Sequence, residues 1–218
     1  MNFFGHATLA ARFSDRPEFV LGAMLPDFAN MLGLRAPRAQ DSVLAAGIHF
    51  HHLTDRAFHD HATFRHLCRE ATVVLRGRGV VRGPARAVAH VGVELLLDAA
   101  LAESAAARAA YVAGLRAGQR PELLRSLLWP PAEQARLGRL ISRLEGGFEE
   151  HGDMAEVPTS LIVERLSRAL GRRPRLAIVP RDVPAVVDWV ELCHGAVVAC
   201  TPALLNELTG DVERLHGR

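Results

Sequence analysis

The sequence predicts an all-α fold. Apolar residues recur three and four positions apart through long stretches rich in Ala, Leu, Arg and Glu, which is the periodicity of amphipathic helices. Gly and Pro punctuate these stretches, and Pro at the start of several of them marks a first helical turn, where its missing N–H is not needed. Residues 176–179 form the only β-like run, which is too short to build a sheet.

The positions of these breaks divide the chain into helices. We expect them, to within about two to four residues, at 3–13, 17–32, 41–59, 63–76, 84–103, 105–117, 121–127, 131–150, 158–170 and 184–215. Gly195 or Pro202 is expected to break the last one. The short segments 76–83 and 171–181 resemble loops rather than linkers, and no internal repeat separates parts of the chain. The sequence therefore predicts a single helical domain over residues 1–218, with about eight to ten helices.

The composition excludes several classes of function. The 26 basic residues are all Arg, and against 24 acidic residues they give a formal net charge of only +2. Aromatic residues make up 6% of the chain and show no nucleic-acid-binding motif, so we do not expect a nucleic-acid partner. Because the chain has no Lys, it has neither a P-loop lysine nor a Schiff-base lysine.

The cysteines and the apolar segments bear on the compartment. The three cysteines are Cys68, Cys193 and Cys200. Their odd number and the absence of a Cys-x-x-Cys pair argue against a disulfide framework or a structural zinc site and fit a reducing cytoplasm. Polar residues from His6 onward interrupt the apolar start too early for a signal peptide, and we find no apolar run of 18 residues. The sequence therefore predicts a cytoplasmic protein without a membrane span.

Histidines are concentrated near the start of the chain, with seven of the 11 in the first 66 residues. Four of them, His49, His51, His52 and His59, share one short stretch with Asp55. On a helix, His51, His52, Asp55 and His59 fall within an arc of about 100°, so several ligands can face one point. A solvated polar face or half-buried histidines would explain a single histidine, but this density favours a metal or acid–base site.

A second constellation lies on one helical stripe, formed by His90, Glu94 and Asp98 within an otherwise apolar stretch. Burying carboxylates among leucines is costly unless a cation or a hydrogen-bond donor satisfies them. The alternative is a half-exposed stripe in which the carboxylates face water or pair with Arg. Two further residues, Asp27 and His6, stand in apolar helices, where each alone is more often a capping acid or a core histidine.

Taken together, these residues predict one mixed nitrogen and oxygen site in a helical bundle, contributed by residues 1–102. Such a ligand set suits a divalent ion, Mn²⁺ first and otherwise Mg²⁺, Fe or Zn²⁺. The expected catalytic residues are His51, Asp55 and Glu94. The expected metal ligands are His6, Asp27, His49, His51, His52, Asp55, His90 and Asp98.

Three motifs carry a resemblance to a known family. They are Met1-Asn2-Phe3-x-x-His6-x-x-Leu9-Ala10, Gly22-x-x-Leu25-x-Asp27-Phe28 and Ala46-Gly47-Ile48-His49-x-His51-x-x-x-Asp55. In order and spacing they resemble the acyl carrier protein phosphodiesterases, which look like divergent relatives of the metal-dependent HD phosphohydrolases. Segments 93–102 and 171–176 are similar to later parts of that family, whereas residues 105–170 show no match.

The resemblance implies an HD-like helical bundle and a metal-dependent hydrolysis of the phosphodiester that joins 4′-phosphopantetheine to holo acyl carrier protein. Three positions depart from the family pattern: His59 stands where an acid is usual, Glu94 replaces Asp, and Ala99 replaces a His. Two alternatives therefore stay open. One is an HD-like or phospholipase-C-like metallohydrolase of another phosphoester, and the other is a non-catalytic helical binding module with a degenerate site.

Overall fold

A computed structural model describes residues 1–151 and 157–216 of the chain, and its side chains are described for residues 1–147 and 157–215. The described residues form ten α-helices: α1 (Phe3–Ala10), α2 (Pro17–Leu32), α3 (Ser42–Asp60), α4 (Ala62–Gly77), α5 (Arg82–Ala102), α6 (Ala105–Ala117), α7 (Pro121–Ser126), α8 (Pro131–His151), α9 (Thr159–Gly171) and α10 (Val183–His216). A short 3-10 turn, Pro180–Asp182, precedes α10. The β-type pairing in this part of the chain is an isolated bridge between Ala39 and Leu127. The prediction of an all-α fold is confirmed.

The helix boundaries follow the expected stop signals, with two differences. Helix α1 ends at Ala10, and the next residues form a turn in which Phe13 N–H donates to the Ala10 carbonyl. Helix α10 continues through Gly195 and Pro202, so the expected break is wrong. Proline removes one helical hydrogen bond and strains the preceding turn. The acceptor that loses its donor is the Val198 carbonyl, and one residue earlier the Val197 carbonyl accepts a hydrogen bond from the Thr201 hydroxyl at 2.7 Å.

The chain divides into two compact units. The first comprises Met1–Ala57 with the described residues of 101–155 and 208–218, and the second comprises Phe58–Ala100 with the described residues of 156–207. In the first unit, α1, α2 and α6 pack on one another, while α8 packs on α2 and α6. The number of independent domains stays a prediction.

Helix α3 begins at a defined cap. Asp41 Oδ1 accepts hydrogen bonds from the backbone N–H groups of Val43 at 3.0 Å and Leu44 at 2.8 Å. A carboxylate in this position satisfies N–H groups that have no partner within the helix and interacts favourably with the helix dipole. The cap sets the start of the helix that carries the histidine cluster.

Within the first unit, the backbones of α2 and α3 approach each other at a pair of glycines. A Cβ atom on Gly22 would lie 2.4 Å from the Leu44 carbonyl oxygen and 2.8 Å from the Gly47 Cα atom. A Cβ atom on Gly47 would lie 2.2 Å from the Phe19 carbonyl oxygen. These separations are far inside van der Waals contact, so neither position has room for a side chain. The glycines thereby fix how closely the two helices pack.

The second unit contains a comparable contact between α5 and α10. The indole of Trp189 is fully buried. A Cβ atom on Gly92 would lie 2.4 Å from the Trp189 ring. The missing side chain therefore lets the ring lie directly on the α5 backbone, and that face of α5 becomes part of the core.

The segment Pro180–Leu215 is long and apolar enough to cross a membrane, by length and composition alone. Only 22% of its most apolar 18-residue window is buried. A single helix of this kind is weak evidence, because some core helices share the same length and hydropathy. The predicted absence of a membrane span stays a prediction.

Gly47→Ala should destabilise the protein, because the added methyl group forces α2 and α3 apart. We expect the free energy of unfolding to fall by about 1–3 kcal/mol, the usual range for overpacking. Urea denaturation followed by circular dichroism measures the change. The matched control is Gly146→Ala in α8, where the new methyl group meets open space. There we expect a gain of about 0.5–1 kcal/mol, and equal effects at the two positions would contradict the packing argument.

Candidate metal centre

Three side chains from three helices of the first unit converge on one point. They are His6 on α1, Asp27 on α2 and His51 on α3, and one ligand atom from each lies within 4.8 Å of the other two. His6 is fully buried and His51 is 6% exposed, whereas Asp27 is half-buried. Two imidazoles and a carboxylate in a protected place form a mixed nitrogen and oxygen ligand set.

The backbone of α2 fixes the orientation of His51. The His51 Nδ1 atom lies 2.8 Å from the Ala23 carbonyl oxygen. Because a carbonyl oxygen only accepts hydrogen bonds, Nδ1 carries the proton and donates. The neutral ring then has its lone pair on Nε2. A histidine that donates its other N–H to a carbonyl in this way is typical of metal ligands.

The Thr54 hydroxyl fixes the orientation of His6 in the same way, through a hydrogen bond to Nδ1 of the ring. The Thr54 hydroxyl donates to the His51 carbonyl at 2.9 Å, so its oxygen acts as an acceptor toward the His6 ring. The His6 Nδ1 atom lies 2.8 Å from that oxygen and donates to it. The lone pair of neutral His6 is therefore also on Nε2. Both rings are set in the tautomer in which Nε2 can bind an ion.

Burial keeps the His51 ring neutral at neutral pH. Burial lowers the pKa of His51 from 6.5 to about 4, although the hydrogen bond with Ala23 and the charge of Asp55 act in the opposite direction. The ring centroids of His6 and His51 are 3.9 Å apart. Two imidazolium ions at this separation would repel each other strongly. Neutral imidazole is the form that binds metal ions.

Pro26 lies inside α2, in the turn that supplies the acceptor for His51. A proline in a helix cannot donate to the carbonyl four residues earlier, which is that of Gly22, and its ring strains that turn. The adjacent Ala23 carbonyl accepts the hydrogen bond from His51. Pro26 thus removes one helical hydrogen bond from the turn that contains the Ala23 carbonyl, immediately before Asp27.

Asp55 lies next to this group, on its more exposed side. Its Oδ1 atom is 3.8 Å from His6 Nε2 and 3.6 Å from the Met1 amino group, and its side chain is 40% exposed. Asp55 is one helical turn after His51, so it projects from the same side of α3. The carboxylate is near enough to act on a molecule bound at the group while remaining accessible to water.

Other predicted ligands lie elsewhere. His49 and His52 are exposed on α3, and the His52 ring meets the His51 ring edge-on with centroids 5.4 Å apart. Asp98 is buried and belongs to neither histidine group that the described residues form.

The supporting roles of Thr54 and the Ala23 carbonyl were not predicted, because a hydroxyl and a backbone carbonyl give no distinctive sequence signal.

His90 and Glu94 belong to a second group, in the second unit, where they are joined by His59. Their ligand atoms also lie within 4.8 Å of one another. Burial alone would raise the pKa of Glu94, but surrounding positive charge, together with the hydrogen bond from His90, lowers it below its usual value. Sequence reasoning did not include His59 among the ligands. Spacing along α5 could pair His90 with Glu94 but could not identify a partner from another helix.

The cysteine thiols do not contribute reactive thiolates at neutral pH. Burial, reinforced by the negative charge of Glu94, raises the pKa of Cys68 to about 12. Burial also raises the pKa values of Cys193 and Cys200. Because the thiolate is the nucleophile and the metal ligand, the sulfur chemistry of this chain is suppressed. The imidazole and carboxylate groups are left as the reactive ones.

No protein-family model, curated protein or solved structure matches this chain. The resemblance to acyl carrier protein phosphodiesterases therefore rests on the sequence motifs alone.

Thr54→Val should weaken metal binding while leaving the three ligands in place. Valine has nearly the same shape as threonine but cannot accept the His6 N–H, so the ring loses its fixed tautomer. Changes to such supporting groups typically reduce metal affinity by about 10–100-fold. Isothermal titration of the chelator-treated protein with Mn²⁺ measures this. Thr8→Val is the control, because the Thr8 hydroxyl donates to the Phe4 carbonyl within α1. Equal affinity in the two variants would contradict the role of Thr54.

The stability of the metal-free protein should depend on pH through His51. Its pKa is about 4 in the folded chain and 6.5 as a reference, so between these values the unfolded chain binds more protons. The free energy of unfolding therefore decreases as the pH falls through this window, by roughly 3 kcal/mol in full. Urea denaturation of chelator-treated protein at several pH values measures the slope.

His51→Gln removes the titrating group, and the slope should become shallower. His52→Gln provides the control, because His52 is exposed on the same helix. The explanation fails if both variants keep the slope of the wild-type protein.

Proposed function

We propose that this chain is a divalent-metal-dependent phosphoester hydrolase whose ion is held by His6, Asp27 and His51. One observation carries the proposal: two imidazoles each donate their Nδ1 proton to a fixed acceptor, which leaves the lone pair on Nε2, and a ring nitrogen of each lies within 4.8 Å of an Asp27 carboxylate oxygen. Side chains that merely fill a core have no need of this arrangement. The ligand set has the character of catalytic metal sites, in which three protein ligands leave a position for water or substrate.

Each residue of the site has its own role in the proposed hydrolysis. A bound divalent ion supplies neutralisation of phosphate charge and a lowered pKa for water. His51 binds without bringing charge, because burial disfavours its protonated form. His6 donates its Nδ1 proton to Thr54 and offers Nε2 to the ion. Asp27 contributes a negative charge that offsets part of the charge of the ion. The groups that hold Nδ1 of each ring keep the ligands from turning away when the substrate enters.

Asp55 is the residue that we assign to proton transfer. Its carboxylate lies 3.8 Å from His6 Nε2 and is 40% exposed, so it can reach both the site and incoming water. A carboxylate positioned in this way accepts a proton from the attacking water, a contribution of about 10²–10⁴-fold to the rate.

The resemblance supports holo acyl carrier protein as the substrate, with release of 4′-phosphopantetheine. The first motif contributes His6, the second contributes Asp27, and the third contributes His51 and Asp55. All three motifs thus supply residues to a single site, which is what a shared catalytic function requires. Mn²⁺ remains the first ion to test, because it accepts both imidazole and carboxylate ligands.

Incubation of the Mn²⁺-loaded protein with holo acyl carrier protein tests the proposal directly. Mass spectrometry should show conversion of the holo to the apo form together with free 4′-phosphopantetheine. Asp27→Asn should reduce turnover by at least about 100-fold, since it removes a charged ligand. Asp15→Asn is the control, because Asp15 is an exposed carboxylate of the same unit.

A panel of phosphodiesters and phosphomonoesters separates the alternatives. Turnover of another phosphoester, but not of the carrier protein, would revise the substrate and keep the chemistry. Stoichiometric metal without turnover of any compound would instead identify a metal-binding module. Wild-type protein that retains no metal after purification without chelator would contradict the proposal.

A further inference from the structure

Two histidines of the second unit direct the same ring atom at one carboxylate oxygen. The His90 Nε2 atom lies 3.3 Å from Glu94 Oε1, and the His59 Nε2 atom lies 3.8 Å from the same oxygen. His90 and Glu94 are one helical turn apart on α5, whereas His59 comes from the C-terminal end of α3. The three side chains thus form one cluster, which we call the His59–His90–Glu94 group.

Aromatic packing holds the two imidazoles in position. Their rings are nearly parallel, with an interplanar angle of 9° and centroids 4.9 Å apart. The Phe64 ring stands edge-on to both, with each centroid separation 5.3 Å. Phe58 packs in turn on Phe64 at 4.1 Å. The hydrophobic frame therefore holds the two imidazoles in position next to Glu94.

The opposite face of α5 is anchored in the core of the second unit. Gly92 lies midway between His90 and Glu94 in sequence, so on a helix it points away from both of them. Its backbone is covered by the Trp189 ring. The helix is thereby held against rotation, and the His90–Glu94 stripe keeps its direction.

A cation explains this arrangement better than a shared proton. The Glu94 side chain is only 14% exposed and faces two nitrogens at once, whereas one proton would draw one nitrogen to the oxygen. The 3.3 Å contact allows a hydrogen bond from protonated His90, but both separations exceed the distance of about 2.7–2.9 Å that is usual for a charge-assisted hydrogen bond. Ligands around one ion at a bond length near 2.1 Å are about 3.0–3.4 Å apart. The His90–Glu94 separation of 3.3 Å lies in this range, and the His59–Glu94 separation of 3.8 Å requires a small inward movement of the ring.

We propose that the His59–His90–Glu94 group is a metal site of its own that takes a divalent transition ion of the Zn²⁺ type. Two imidazole nitrogens and one carboxylate oxygen favour such ions over Mg²⁺ or Ca²⁺, which prefer oxygen ligands. The His90 side chain is 48% exposed and that of His59 is 33% exposed, so an ion can enter from solvent and water can complete its coordination. The site is independent of the function proposed for the first unit.

Titration of the full chain after chelator treatment tests this site. Calorimetry should show one molar equivalent of Zn²⁺ bound at this group. His90→Ala and Glu94→Gln should each lower the affinity for this equivalent by at least about tenfold. His66→Ala is the matched control, since His66 is an exposed histidine of α4 outside the group. Asp27→Asn should leave this equivalent unchanged, which separates it from the ion assigned to the first unit.

A second readout is spectroscopic and uses the Asp27→Asn protein, in which the first site lacks its carboxylate ligand. Co²⁺ added to this protein should give paramagnetic shifts of the His59 and His90 ring protons together with visible absorption of an imidazole-ligated ion. Adding His90→Gln, with native helical content checked by circular dichroism, should weaken the absorption and remove the shifts of the His59 ring. The proposal is overturned if the His90 and Glu94 variants bind Zn²⁺ as His66→Ala does, or if Co²⁺ leaves both rings unshifted.

Discussion

The close approach of α2 and α3 is the constraint on which the first site depends. Gly22 and Gly47 allow backbone contact, and Ala23, which follows Gly22, meets His51, one helical turn after Gly47, through a hydrogen bond of 2.8 Å. A wider spacing would remove the acceptor of the His51 proton, and the ring would no longer be held in the tautomer with its lone pair on Nε2. Gly22 and Gly47, which have no side chains, therefore determine which nitrogen of His51 can bind an ion.

A short relay then joins α1 to this pair of helices. His6 donates to the Thr54 hydroxyl, which donates to the His51 carbonyl, so the position of one ligand depends on the backbone of the other. Burial adds a second effect, because it lowers the pKa of His51 and so removes a charge beside the tilted His6 ring. Packing, hydrogen bonding and burial thus favour the same state, in which the neutral His51 ring has its lone pair on Nε2. Agreement among independent interactions of this kind is typical of functional sites.

Local features of the sequence predicted the helices well, because periodicity and Pro or Gly signals act over a few residues. They also identified His6, Asp27 and His51 as candidate ligands. They could not show which side chains from different helices lie close together. The sequence therefore placed His90 in the same site as His51, whereas the structure places it in a group with His59. A helical arc of about 100° also could not separate His51 from its exposed neighbour His52. Such distinctions depend on contacts between distant residues.

The order of the proposed ligands along the chain has a consequence for biosynthesis. His6, Asp27 and His51, together with Thr54, all precede residue 56, whereas α6, which packs on α1 and α2, begins at Ala105. During translation the complete ligand set leaves the ribosome well before the helix that covers its scaffold. An ion captured at that stage would tie three nascent helices together while their apolar faces still await a partner. Metal supply would then influence the yield of folded chains as well as the performance of the finished protein.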